Sequence, residues 1–148
     1  GEYANVSFNP DFHGVTQLID QYLGITEDGR IISLTEDGKR PMLRSEEDGS
    51  DPAAGLHPEV YGKWKDIVYA VSDNTCLMGV TKGGEVLVDI SGTENYDVDE
   101  AACGKYDVDD WTDVSSVYPH TDVENGTACT LGVTKDGKIL IAGILPGE

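Results

Sequence analysis

Thr130-Leu-Gly-Val-Thr-Lys-Asp-Gly-Lys-Ile-Leu140 is a segment that this chain spells three times. It occurs earlier as Leu77-Met-Gly-Val-Thr-Lys-Gly-Gly-Glu-Val-Leu87, and first as Tyr22-Leu-Gly-Ile-Thr-Glu-Asp-Gly-Arg-Ile-Ile32. The aligned turn glycines are Gly29, Gly84 and Gly137, which sets periods of 55 and 53 residues. Self-similarity at that spacing is the signature of a supersecondary unit used repeatedly. Each copy is a run of β-branched and apolar residues, a glycine-containing turn and a second such run, which is the pattern of a β-hairpin.

Working outward, each copy gains a strand before the hairpin. In the second repeat, Trp64 to Val71 reads as a first strand, Thr75 to Thr81 as the second and Glu85 to Ile90 as the third, with Gly83-Gly84 as a two-residue type I′ turn. In the third, Trp111 to Val117, Ala128 to Thr134 and Lys138 to Ile144 follow the same plan, with Asp136-Gly137 at the turn. The first is degenerate: Phe12-His-Gly-Val15 stands where Trp64-Lys-Asp-Ile67 and Trp111-Thr-Asp-Val114 stand, ahead of Gln21 to Thr26 and Arg30 to Thr35. Asp37-Gly38 opens a further hairpin signal, and a single helical turn is expected only over 97–104. The reading is one all-β domain over 1–148, made of three antiparallel β-meander repeats at approximately 8–44, 62–100 and 104–146.

A lone three-stranded meander cannot bury its apolar faces, so sister repeats must stack. Trp64 and Trp111, with Phe12 as a smaller version, are expected between the units. Gly24, Gly79 and Gly132 lie inside strands, where glycine marks a close approach or a bulge. The distance from the early β-branched residue to that glycine is 9 residues in Val15–Gly24, 12 in Ile67–Gly79 and 18 in Val114–Gly132. The extra residues of the third repeat read as a long loop from Pro119 to Gly126, and insertions of this kind map to loops that often form a binding face. Its candidate ligand-binding residues are His120, Thr121, Asp122, Glu124 and Asn125.

Charge narrows the partners. With 28 acidic and 10 basic residues the formal net charge is −18, which repels phosphate backbones and anionic membranes and so argues against nucleic acid. No run reaches the ~18 apolar residues of a membrane span. The chain opens at Gly1-Glu2-Tyr3 without Met, which reads as a cut end, so the lack of an export signal carries no weight. Cys76 and Cys129 hold the same repeat position and read as structural buried thiols, with Cys103 left over and no disulfide framework.

Catalytic signatures are missing from the sequence: no Walker loop, GxGxxG, HExxH, GxSxG or EF-hand loop occurs. The acidic run around Cys103 is the one candidate constellation. Asp97, Asp99, Asp107 and Asp109, on extended segments, place carboxylates on one side in a manner that suits Ca²⁺, although the plain reading is a solvated acidic loop.

The ordered string Trp111-x-Asp-Val-x-x-Val, then Cys129-Thr-Leu-Gly-Val-Thr-Lys-Asp-Gly-Lys-Ile-Leu-Ile-Ala-Gly143, resembles the regulator-of-chromosome-condensation type repeat. So does Trp64-x-Asp-Ile-Val-x-Ala-Val with its Gly-Val-x-x-Gly-Gly-x-Val-x-Val, and the lead-in Gly104-Lys-Tyr-Asp-Val-Asp-Asp-Trp111 is similar too. The resemblance covers 62–145 well and 12–40 weakly. It implies β-propeller blades, one per repeat, although three repeats are too few to close a propeller and Cys76 and Cys129 replace that family's usual histidine. A β-trefoil with pseudo-threefold symmetry is the alternative. Function is expected to be that of a non-enzymatic, extracytoplasmic interaction module, secreted or on the cell surface, recognising a protein or glycan. The alternatives are a structural section of a longer repeat protein, a homo-oligomer built from these repeats, and a carboxylate-dependent hydrolase.

Overall fold

The computed structural model describes residues 14–19, 23–33, 56–73, 76–90, 104–122 and 126–144. Among these residues, nine strands form three separate antiparallel sheets. The first contains β1 (Val15–Leu18), β2 (Leu23–Thr26) and β3 (Ile31–Ser33); the second β4 (Ile67–Ser72), β5 (Cys76–Thr81) and β6 (Val86–Ile90); the third β7 (Val114–Asp122), β8 (Thr127–Thr134) and β9 (Ile139–Ile144). Every sheet runs in chain order, so each repeat is a meander, and no barrel closes among the described residues. The trefoil alternative, which needs strands of different repeats to share a barrel, is therefore set aside.

The registers repeat residue for residue. Val15 faces Thr26 and Leu18 faces Gly24. Ile67 faces Thr81 and Ala70 faces Gly79. Val114 faces Thr134 and Val117 faces Gly132. All three first strands carry a bulge at the same place, between Val15 and Gln17, Ile67 and Tyr69, and Val114 and Ser116. The residue before each strand has left-handed backbone: Gly14 at φ 83°, Asp66 at 58° and Asp113 at 55°. Asp tolerates that region better than bulkier side chains, which gives the recurring Asp after each Trp a backbone reason.

The hairpin loops differ from the expected two-residue turn. Gly29, Gly84 and Gly137 have positive φ, but Asp28, Gly83 and Asp136 do not, whereas a type I′ turn needs both. The loops instead have three residues, closed by Gly84 N–H to the Thr81 carbonyl and Thr81 N–H to the Glu85 carbonyl, with the glycine in the left-handed position. The repeated threonine has a task here. Its hydroxyl accepts the amide of Arg30, Glu85 or Lys138 across the loop, and in the outer two repeats it donates to Asp28 or Asp136.

Two further differences concern the lead-ins and the long insertion. A short helix α1 (Pro58–Tyr61), begun by a proline that loses no helical bond, precedes the second sheet and was not signalled. The helical turn expected over 97–104 touches the described residues only at Gly104, which is helical. Pro119 to Asp122, expected as loop, is strand, paired with Thr130 to Thr127. β7 lies at a sheet edge, where a proline forfeits no ladder bond.

The sheets stack face to face. Leu23, Ile25 and Ile31 of the first repeat pack with Tyr61, Trp64, Ile67, Ala70 and Leu77 of the second. Cys76, Met78, Val80 and Val86 on the opposite face of the second sheet pack with Val108, Val114, Val117 and Ala142 of the third. The middle strand β5 is therefore buried on both sides. The tryptophans lie over their own strand glycines. A Cβ on Gly79 would stand 3.2 Å from the Trp64 ring, and one on Gly132 2.7 Å from that of Trp111. Those glycines are floors for an indole.

Backbone also meets backbone at each junction. The Gly29 carbonyl accepts the Ile67 amide at 2.9 Å and the Gly84 carbonyl accepts that of Val114 at 3.0 Å. A Cβ on Gly29 would fall 2.9 Å from the Asp66 Cα, and on Gly84 2.6 Å from the Asp113 Cα. Gly137 has nothing described within 4 Å. Gly84→Ala is thus expected to lower stability by roughly 3 kcal/mol or more, through left-handed strain plus a pushed-apart junction, and Gly137→Ala by only about 1. Urea denaturation of both variants at low protein concentration checks the contrast.

Candidate functional site

The longest hairpin arm among the described residues is formed by β7 and β8, and it contains His120, Thr121 and Asp122 of the expected binding residues. β7 spans Val114–Asp122 where β4 spans only Ile67–Ser72, so the extra residues of the third repeat lengthen a strand pair. His120 pairs with Cys129, Thr121 with Ala128 and Asp122 with Thr127. Tyr118 and His120, two apart and so on one face, stack with ring centroids 6.3 Å apart and planes 15° from parallel. Tyr118 is exposed, and the pair makes a flat aromatic platform. Glu124 and Asn125 lie outside the described residues.

Thr121 points the other way and belongs to the structure. Its hydroxyl lies 2.5 Å from the Lys105 Nζ, which also contacts Asp73 Oδ2 at 2.5 Å. Lys105 is fully buried. Its carbonyl accepts the Thr130 hydroxyl at 2.7 Å, and its ammonium lies 5.6 Å from the Tyr106 ring centre. One ammonium thereby joins the second repeat, through Asp73, to the lead-in and β7 of the third. Asp73 in turn accepts the Cys76 amide at 3.0 Å. Nothing in the pattern Gly104-Lys-Tyr106 announced this burial, because its partners lie 32 and 16 residues away.

A second polar clasp ties α1 to its own sheet. Asp89, buried in β6, accepts the His57 amide at 2.7 Å and contacts His57 Nδ1 at 2.7 Å. Burial raises the Asp89 carboxyl above the ordinary aspartate value, and the bonds from His57 oppose that rise. The paired imidazole and enclosed position make Asp89 a brace for the lead-in.

Of the candidate cation ligands, Asp97 and Asp99 lie outside the described residues. Asp107 and Asp109 do come together, joined by Asp110, with one carboxylate oxygen of each within 4.8 Å of the others. All three are exposed. Asp107, Asp110 and Trp111 line an open cleft with Gly104, Ile141 and Gly143. Water solvates these carboxylates, and nothing there supplies the deep enclosure in which a carboxylate becomes a general acid.

Both described cysteines are buried, and no disulfide joins them to another described residue. Burial raises the Cys129 thiol above its ordinary value, partly countered by the Lys105 charge. This agrees with structural thiols; Cys103 is outside the described residues. No helix among the described residues is long and apolar enough to cross a membrane.

With this geometry in hand, no family model, curated protein or solved structure matches the chain.

Lys105→Ala is expected to cost about 3–5 kcal/mol, because Asp73 and Thr121 are left facing an apolar gap, while Lys105→Met costs clearly less. Thermal and urea unfolding of the two variants measure this. Cys76 and Cys129 are expected to react with an aromatic disulfide reagent only at the rate of unfolding; two rapidly labelled thiols, located by peptide mass, would contradict their assignment.

Proposed function

We propose that this chain is a non-enzymatic interaction module of propeller-blade-like repeats that engages a protein or glycan through the extended β7–β8 arm. The observation that carries the reading is the stacked Tyr118–His120 pair on that arm. An exposed aromatic face on a rigid strand pair offers a large contact area at small entropic cost, and sugar rings and peptide side chains both pack on such faces. The register supports it: the arm is braced from behind by Thr121 on Lys105, so the platform does not have to be ordered on binding. The acidic surface biases a protein partner toward positive charge.

The resemblance to chromosome-condensation type repeats supports the blade-like description, and no activity is carried from that family to this chain. The carboxylate-hydrolase alternative finds no support in Asp107, Asp109 and Asp110, which are exposed.

A printed glycan array and a basic-peptide library, followed by NMR titration of the best binder, test the reading. The Tyr118 and His120 ring protons are expected to shift on binding, and Tyr118→Ala is expected to weaken affinity by about tenfold while leaving the unfolding midpoint nearly unchanged. A binder that leaves both rings unperturbed would overturn it.

A further inference from the structure

The two junctions within the chain define what each repeat presents to its neighbours. On its forward face the first repeat offers Leu23, Ile25 and Ile31, and the second offers Met78, Val80 and Val86; all six are buried by the repeat that follows. The same positions of the third repeat hold Leu131, Val133 and Ile139, with Ile141 beside them. Leu131 faces Ile141 and Val133 faces Ile139 across the ladder, so the four side chains share one face of the sheet. Exposure follows position in the chain: Ile31 is 2% exposed, Val86 6% and Ile139 61%. The forward face of the third repeat is built like the two buried ones, no repeat follows it among the described residues, and Ile139 and Ile141 are exposed.

The rear face of the first repeat is its counterpart. The position that holds Ala70 at 6% exposure and Val117 at 3% holds Leu18 at 65%. The left-handed corner that receives a turn glycine at Asp66 and at Asp113 is present as Gly14, with nothing described within 4 Å of where its Cβ would sit. The plug that fits such a corner is present at the other end as Gly137, equally open.

We propose that the chain binds a second copy of itself head to tail. In this contact the forward face of Leu131, Val133, Ile139 and Ile141 covers the Val15–Leu18 face of the next copy, and the Gly137 turn seats on its Gly14 corner. The occupant follows from continuity with the two internal junctions, which show what this face packs against when it is covered. The contact is heterologous, since different surfaces of the two copies meet, so it either closes into a ring, which for two copies is a dimer that holds the contact twice, or propagates into a filament. Tyr118 stands opposite Leu131 across the β7–β8 ladder and so shares this face, as Val71 does opposite Met78 in the covered second repeat; a second copy and the partner read at Tyr118–His120 therefore compete for one surface. Each copy carries −18, so screening salt strengthens the association.

Sedimentation velocity over about a hundredfold range of protein concentration tests the proposal. The mass of the wild-type chain is expected to rise with concentration, and to rise further with salt. Ile139→Asp blocks only the forward face and Leu18→Asp only the rear face, so each alone is expected to stay at the single-chain mass. Mixed in equal amounts they are expected to form a one-to-one dimer and nothing larger. Gly137→Ala, whose Cβ meets open space in one chain, is expected to leave the circular dichroism spectrum intact and to weaken association by roughly tenfold. A wild-type chain that stays at the single-chain mass throughout overturns the proposal, and would leave the faces to a repeat on a longer chain or to an unrelated partner. Loss of association with Ile139→Asp but not with Leu18→Asp overturns it as well, because the forward face would then be pairing with itself.

Discussion

The backbone contact between a turn glycine and the left-handed corner of the next sheet sets the geometry of this molecule. Only a residue without a Cβ admits the Asp66 and Asp113 main chain at these distances, and only a residue that tolerates positive φ makes the corner. The contact fixes how near successive sheets lie and which side chains then meet. Met78 and Val80 reach Val114 and Val117 because Gly84 has already docked beside them. Within each unit the same economy of space recurs, as Trp64 and Trp111 lie flat on Gly79 and Gly132.

Around this main-chain seam the side chains divide the remaining work. The apolar faces supply the greater part of the driving force, as expected for buried area of this kind. The polar groups specify position. Lys105 accepts burial because Asp73 and Thr121 surround its ammonium, and the pair can hold only when the second and third repeats are correctly placed. Asp89 and His57 perform the equivalent service between a lead-in and an outer strand. Arg30 adds a bond from the first repeat to the Gly62 carbonyl at 2.5 Å, and Lys135 one from the third to the Lys82 carbonyl at 3.1 Å.

Much of the architecture was legible because it is local and repeated. Alternating β-branched residues around a glycine loop fix a hairpin, and three copies fix a stack. The details that escaped are those whose cause is distant or hidden in the backbone. Asp66 and Asp113 look like acids in a sequence, yet their value lies in φ. Pro119 looks like a loop residue, yet an edge strand does not need its missing amide. Lys105 looks solvated until Asp73 and Thr121 are brought to it by the fold. Of the candidate binding residues, His120 gained a partner in Tyr118, and Thr121 proved to face inward. Asp107 and Asp109 were read as neighbours and are neighbours, but proximity among exposed carboxylates is a weak statement about chemistry.

The middle sheet differs from its sisters in being sheltered on both sides, and this orders the way the molecule comes apart. In a linear stack the cost of opening a unit depends on the neighbours it must leave. The outer sheets each leave one neighbour, while β5 and the strands beside it leave two. Amide exchange should therefore slow from the ends toward Met78 and Val80, and the last structure lost on unfolding should be the central meander.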